Sequence, residues 1–349
     1  MFNILVAGDK FFNPMVIEDH LKGKFGDRIS VNTILFDYPV DNFKLNNETK
    51  VPTGMSWDDP NVQRFSTGVR EFYGDPSALD GRLKDVDVLI IHGAALPDEI
   101  IQQGNRLKAV IILRGGPINV DAAALKRRNI MIYNTLGKNK EGVAEYAIGL
   151  LLSFLRNITE SSAYLKNGVW KPSYYEYERT GIELYQKTFG IIGLGQIGRH
   201  LSRILKGFGT KVLAYDPFVN KEIFDELGIS PVSLENLLQE SDFISLHARN
   251  VTGQPIINRH TLSIMNPHSV LINTARGDLV DHIALKEALE QKRIRGAVLD
   301  VLGEESFGFY KELLALPNVL VTPHLAGGSQ ETVHRGIKMA LSFLESLVS

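Results

Sequence analysis

FGIIGLGQIGRHLSRILKGFGTKVLAYD, residues 189–216, decides the fold. A short apolar run, FGII, leads into glycines spaced G-x-G-x-x-G at Gly193, Gly195 and Gly198. A helical pattern follows, with Ile197, Leu201, Ile204, Leu205 and Phe208 on one face and Gly209 as its stop. A second apolar run, KVLAY, then ends at Asp216. Among 31 glycines the spacing alone is weak, but strand, turn, helix and strand in that order make it specific. In such a βαβ unit the first glycine makes the tight turn, and the second lets a pyrophosphate approach the backbone. The third lets helix and strand pack closely. The helix N-terminus offers N–H groups and a partial positive charge to the phosphates. Asp216 is placed to accept both adenosine ribose hydroxyls and to repel a 2′-phosphate, so NAD is expected rather than NADP.

Outward from this stretch, short β-rich runs alternate with helical patterns. Before it lie NILVAG (3–8), ISVNTILF (29–36), VDVLIIHG (86–93), LKAVIILRGG (107–116) and IMIYNT (130–135). With and after it come FGIIGLG (189–195), KVLAYD (211–216), FISLHA (243–248), SVLINTAR (269–276), GAVLDV (296–301) and NVLVT (318–322). Continuous apolar runs between helices are expected of parallel strands covered on both faces. The fold class is α/β, with two doubly wound parallel-sheet domains of five and six strands. A helix-like segment, EGVAEYAIGLLLSFLRNITESSAYLKNG, separates them, and the boundary is placed near residue 138. The final segment, SQETVHRGIKMALSFLESLV, has an apolar face but adds no strand, so it is expected to pack back on the first domain. Residues 41–80 read as an elaborated polar loop.

The bulk numbers exclude several classes. The 349 residues are 44% hydrophobic and 22% charged, enough for a large core, and length suggests two domains. A net charge of −2 gives no electrostatic reason to expect nucleic acid or an anionic membrane. The absence of cysteine rules out disulfides, zinc-thiolate sites, iron–sulfur clusters and thiol nucleophiles, and no metal is expected. The start, MFNILVAGDKFF, is too poor in apolar residues for a signal-peptide core. The most apolar stretch, AIGLLLSFL at 147–155, is too short to span a bilayer and reads as a buried or interface helix. A cytoplasmic protein is expected.

Ligands of a doubly wound sheet sit at the carboxyl ends of its strands, the edge that carries the glycine turn. Arg276 ends SVLINTA there, Glu304 and Glu305 follow GAVLDV with Asp300 near its end, and His324 follows NVLVT. A guanidinium, a carboxylate and an imidazole are the parts for interconverting a 2-hydroxy acid and a 2-keto acid. Histidine has the pKa range to move the oxygen's proton. A carboxylate on its other ring nitrogen would fix the tautomer and favour the imidazolium, and an arginine would hold the substrate carboxylate and polarise the carbonyl. On spacing alone Glu304 and Glu305 are not distinguished, and a lone histidine after Pro323 reads first as a structural turn residue. His247, at the end of FISLH, is a rival at the same edge. His92 ends a strand of the first domain and is a candidate facing the substrate from the other side. His20, His200, His260, His268, His282 and His334 lie in helical or surface-like contexts.

With these residues in view, the sequence resembles the D-isomer-specific 2-hydroxyacid dehydrogenases. The resemblance covers most of the chain beyond about residue 86. It is carried by GLGQIG, LINTARGDLVD (271–281), GAVLDVLGEE (296–305), LPNVLVTPHLAG (316–327) and RGGPINVDAAALKRRNI (114–130). It implies that the family's arginine falls on Arg276, its glutamate on Glu305 and its acid/base histidine on His324. It implies further that Asp300 and the backbone at Thr274, Ala275 and Arg276 hold the nicotinamide carboxamide, and that Gln196 and Ile197 meet the pyrophosphate. Backbone N–H groups at Arg114, Gly115 and Gly116 would receive the substrate carboxylate. The resemblance sends the last helix back to a discontinuous substrate domain, 1–137 plus 327–349, with the NAD-binding domain at 138–326 and the active-site cleft between them. It also implies a homodimer joined through the NAD-binding domain, a use for the apolar helix at 143–155. Ser306 stands where the family usually has proline, and HGAAL (92–96) where phosphoglycerate dehydrogenases place basic residues. The segment Tyr174–Tyr177 reads equally as a wall of the cleft or dimer and as a solvated loop. The second function considered is an NAD(H)-sensing scaffold of the C-terminal-binding-protein corepressor type, which shares fold and triad. A formate-dehydrogenase-like enzyme is disfavoured, because those typically carry glutamine in place of the glutamate.

Overall fold

The computed structural model describes residues 1–36, 69, 72, 76–303, 305 and 307–348. Most of the expected loop at 41–80 lies outside these residues, as does Glu304. Among them the chain forms two compact units, one built up to Asn139 and again from Ser329, the other from Lys140–Gly328.

The first unit runs β1 (Phe2–Asp9), α1 (Pro14–Phe25), β2 (Ile29–Phe36), β3 (Val88–Ile91), α2 (Asp98–Ile101), β4 (Ala109–Ile112), α3 (Ala122–Arg127) and β5 (Met131–Asn134). Its five strands are parallel in the order β2-β1-β3-β4-β5. Successive residues of β1 enter different cores, Leu5 and Ala7 one, Ile4 and Val6 the other. Both faces are buried, which is why the strand reads as an unbroken apolar run.

The second unit runs α4 (Lys140–Leu155), α5 (Ile158–Lys166), β6 (Thr188–Ile192), α6 (Gln196–Gly207), β7 (Lys211–Tyr215), α7 (Lys221–Leu227), β8 (Ser230–Pro231), α8 (Leu234–Glu240), β9 (Phe243–Leu246), α9 (Arg259–Ile264), β10 (Val270–Asn273), α10 (His282–Glu290), β11 (Gly296–Leu299), α11 (Phe307–Leu314) and β12 (Val319–Val321). The parallel sheet has the order β12-β11-β10-β9-β6-β7-β8. It holds seven strands rather than the six expected from the sequence. The extra one, β8, is a two-residue exposed edge strand, Ser230–Pro231, with no apolar run to announce it. The helical segment before the sheet is two helices, broken where Asn157 takes a left-handed conformation, φ +54°. The apolar face of α4 is used inside its own unit, with Ala147, Ile148, Leu151 and Leu155 in one core with Leu201 and Leu205 of α6.

The chain then returns to the first unit as α12 (Gln330–Val348), whose Ile337, Ala340 and Leu344 join the core with Ile4, Val6 and Phe12. Tyr133 stacks on Phe343 with ring centroids 4.4 Å apart. Among the described residues no helix is long and apolar enough to cross a membrane.

Candidate active site

In the second unit β6 is followed by β7 on one side, and the chain then crosses to β9 on the other. This reversal is where ligands bind in doubly wound sheets, outside the strand carboxyl ends. Gly193 sits at that point with φ +97°, and a Cβ there would lie 2.6 Å from the carbonyl carbon of His247 and the amide nitrogen of Ala248. Gly198 is as constrained, since its Cβ would lie 2.2 Å from the Gly193 carbonyl oxygen. Gly195 caps α6, and nothing stands within 4 Å of where its side chain would begin. The first helical turn beyond it carries exposed Gln196 and half-buried Ile197. The first N–H groups of a helix have no intrahelical partner. Asp216 braces the same turn, its Oδ2 accepting the Leu194 N–H at 2.7 Å and its Oδ1 the Phe218 N–H at 2.9 Å. After β10, the buried Thr274 hydroxyl has no hydrogen-bond partner among the described residues. An orphaned hydroxyl, an open helix terminus and a carboxylate at the end of β7 fit the polar outline of a dinucleotide.

Three further strand ends lie on this edge. After β10, the Asn273 side chain shapes the turn by donating to the Arg276 carbonyl at 2.8 Å and accepting the Ala275 N–H at 3.0 Å. The Arg276 side chain is exposed, and its Nη1 donates to the Ala275 carbonyl at 2.7 Å. After β12, His324 has φ +57°, a left-handed conformation uncommon outside glycine and asparagine. Asp300, 1% exposed, holds that turn from the end of β11. Its carbonyl accepts the His324 N–H at 2.8 Å, and its carboxylate accepts the Thr322 hydroxyl at 2.6 Å and the N–H groups of Leu325 and Ala326 at 2.9 and 2.8 Å. Three of about four carboxylate acceptor positions are thus used on the turn. The resemblance gave Asp300 to the carboxamide alone, and this bracing is additional. Glu305, beyond β11, accepts from the Tyr310 hydroxyl. The rival His247 is bonded through Nε2 to the Ser245 hydroxyl at 2.9 Å. Burial pushes its pKa to about 4, so it is neutral near pH 7 and has no proton to give.

In the first unit His92 follows β3, and its Nδ1 lies 2.5 Å from Oδ2 of Asp9 at the end of β1. Burial pulls the imidazole's pKa down against the attraction of Asp9, and the positive charges of Arg114 and Lys138 act in the same direction as burial. Burial pushes Asp9 up, but His92 and the N–H groups of Phe11 and Phe12 outweigh it and hold the carboxyl below its ordinary value. Arg114, Gly115 and Gly116 follow β4, and no atom occupies the space where either glycine's Cβ would stand. Lys138, which the sequence reading passed over, is buried beside this group. Burial, with the guanidiniums of Arg114 and Arg335, lowers its pKa to about 8. Tyr310 was also passed over, and His282 was set aside among histidines in helical or surface-like contexts. His282 does lie on a helix, but it is 1% exposed rather than on the surface. None of the three belongs to a motif, and only folding reveals their neighbours.

The family model for D-isomer specific 2-hydroxyacid dehydrogenase, NAD binding domain, matches residues 148–326. A glyoxylate reductase of Korarchaeum cryptofilum is 36% identical over 271 residues, covering 77% of this chain and 80% of that protein. A D-3-phosphoglycerate dehydrogenase of Methanocaldococcus jannaschii is 36% identical over 253 residues, 72% of this chain but 47% of that protein. The chain thus spans about half the length of the phosphoglycerate dehydrogenases it matches. Among solved structures, a D-2-hydroxyisocaproate dehydrogenase superposes with a TM-score of 0.78 at 25% identity, covering 100% of this chain and 97% of that one.

Proposed function

Because the chain belongs to the D-isomer specific 2-hydroxyacid dehydrogenase family, we propose that it interconverts a D-2-hydroxy acid and a 2-keto acid with NAD. The observation that carries this reading is the convergence of Arg276, Glu305 and His324 on the sheet edge that bears the Gly193–Gly198 turn. Held by these residues, a nicotinamide cofactor would supply the hydride chemistry at the substrate's C2. The chain's own groups do the rest. His324 gives its ring proton to the carbonyl oxygen during reduction and takes it back during oxidation. Glu305 favours the imidazolium and fixes the ring's tautomer. Arg276 binds the substrate carboxylate and polarises the carbonyl. Backbone N–H groups at Arg114, Gly115 and Gly116 receive the carboxylate as well, with His92 contributing to the substrate's surroundings. Gly193, Gly195, Gln196, Ile197 and Gly198 receive the pyrophosphate, Asp216 the ribose, and Thr274, Ala275, Arg276 and Asp300 the carboxamide. Asp216 favours NAD through its charge. A homodimer through the second unit completes the proposal.

The test is a panel of 2-keto acids with NADH, followed by loss of nicotinamide absorbance. At least one acid should turn over. His324→Gln should slow that reaction about 10²–10⁴-fold while NADH affinity stays within about twofold, the range expected for a lost acid/base group. NADH binding without turnover of any acid would favour the sensing scaffold instead. Near-normal turnover by the variant would remove His324 from the proton's path.

A further inference from the structure

Glu305 has a partner that the family reading does not assign. Its Oε2 accepts from the hydroxyl of Tyr310, a fully buried side chain of α11. That hydroxyl oxygen also accepts the Gly303 N–H at 2.6 Å. A phenol that accepts from a backbone N–H has its own proton left to donate, and here the carboxylate lies in that direction. Burial and the Glu305 charge push the Tyr310 pKa up, so the donor is retained throughout the working pH range.

The space around this bond is made for it. A Cβ on Gly303 would lie 2.5 Å from Glu305 Oε2, 2.9 Å from His282 Nδ1 and 3.2 Å from the Tyr310 hydroxyl. Glycine is what lets the three polar groups meet. His282 packs edge-on against the Tyr310 ring, centroids 5.6 Å apart, and its Nδ1 is 3.9 Å from Glu305 Oε2. That distance is too long for a hydrogen bond. Burial lowers the His282 pKa against the pull of Glu305 and Asp281, leaving a neutral ring beside the carboxylate. Tyr310 is therefore the group that fixes this oxygen.

We propose that Tyr310 is the positioning residue of Glu305, holding Oε2 through its hydroxyl so that Oε1 is left to meet the His324 ring. The inference rests on the proposed pairing of Glu305 with His324. Among the described residues, the Tyr310 hydroxyl gives the Glu305 carboxylate its hydrogen bond, and an acid free to turn about its last bond spends less time aligned with the imidazole. Tyr310→Phe removes the hydroxyl and keeps the ring in its core.

The experiment is a nuclear magnetic resonance titration of the His324 imidazole in the full chain, for the wild type, Glu305→Gln and Tyr310→Phe. NAD affinity and melting temperature serve as controls for folding. A paired carboxylate raises an imidazole pKa, so Glu305→Gln should lower it by about one unit or more and Tyr310→Phe by about half a unit. With NADH and the 2-keto acid that turns over best in the panel above, Tyr310→Phe should lower kcat about tenfold and leave both KM values within about twofold, the pattern of a lost transition-state contact. If Glu305→Gln lowers the imidazole pKa and Tyr310→Phe leaves it unchanged, Tyr310 is not the positioning residue, while the pairing stands. If Glu305→Gln itself leaves the pKa unchanged, the pairing fails and this inference fails with it.

Discussion

His324 and His247 stand at two strand ends of the same sheet and differ in how the chain treats them. His324 is exposed on a left-handed residue, a conformation that costs a non-glycine residue about 1–3 kcal/mol and persists only where surroundings impose it. The Asp300 bonds supply that imposition. His247 is bonded to Ser245 and held neutral by burial. Its folded pKa, about 4, lies below the unfolded value of about 6.5. Between those values the unfolded chain binds a proton that the folded chain refuses. This stabilisation is complete above pH 6.5 and falls as pH drops toward 4, by at most about 1.4 kcal/mol per unit. His92 and His282, also lowered by burial, act in the same direction. The melting temperature should therefore fall as pH is lowered from 7 to 5, and His247→Gln should make that fall shallower. An unchanged slope in the variant would mean that His247 titrates normally in the folded protein.

The turn between β6 and α6 is the element on which cofactor binding depends. A methyl group at residue 193 meets the His247 backbone at 2.6 Å, on a residue whose φ of +97° already excludes ordinary side chains. Gly193→Ala should weaken NADH binding about tenfold or more, read by quenching or enhancement of nicotinamide fluorescence, and unaltered affinity would contradict the assignment. This element was legible from sequence because all its parts lie within residues 189–216. Elements built from distant or brief segments were not. β8 is two residues, Ser230–Pro231, whose pairing with β7 no apolar pattern records. The break at Asn157 is a single backbone conformation inside a continuous helical pattern. The site divides in the same way. Arg276 ends a recognisable run and His324 follows one, whereas Glu305 is told from Glu304 only by the family resemblance. Tyr310 and His282 meet Glu305 only because α10 and α11 pack beside β11, and Asp300's grip on residues 322–326 depends on the pairing of β11 with β12.

For the molecule as a whole, the second unit exposes a run of aromatic side chains, Trp170 at 73%, Tyr175 at 88% and Tyr177 at 89%. Large apolar groups left in water together favour association, and the proposed dimer would cover them. Light scattering should give twice the chain mass for the wild type, while Trp170→Asp combined with Tyr177→Asp should shift it toward the single chain. A wild type that scatters as one chain would exclude the dimer. The return of α12 to the first sheet has another consequence, one of timing. A ribosome releases β1 to β5 first, yet the core around Ile4, Val6 and Phe12 waits for Ile337, Ala340 and Leu344. All of the second unit emerges in between. The unit whose synthesis begins first is thus the last to close its core, reversing the usual N-terminal-first order of multidomain chains. Chains ending at residue 328 and released from the ribosome should resist protease in the second unit while the first remains open to it.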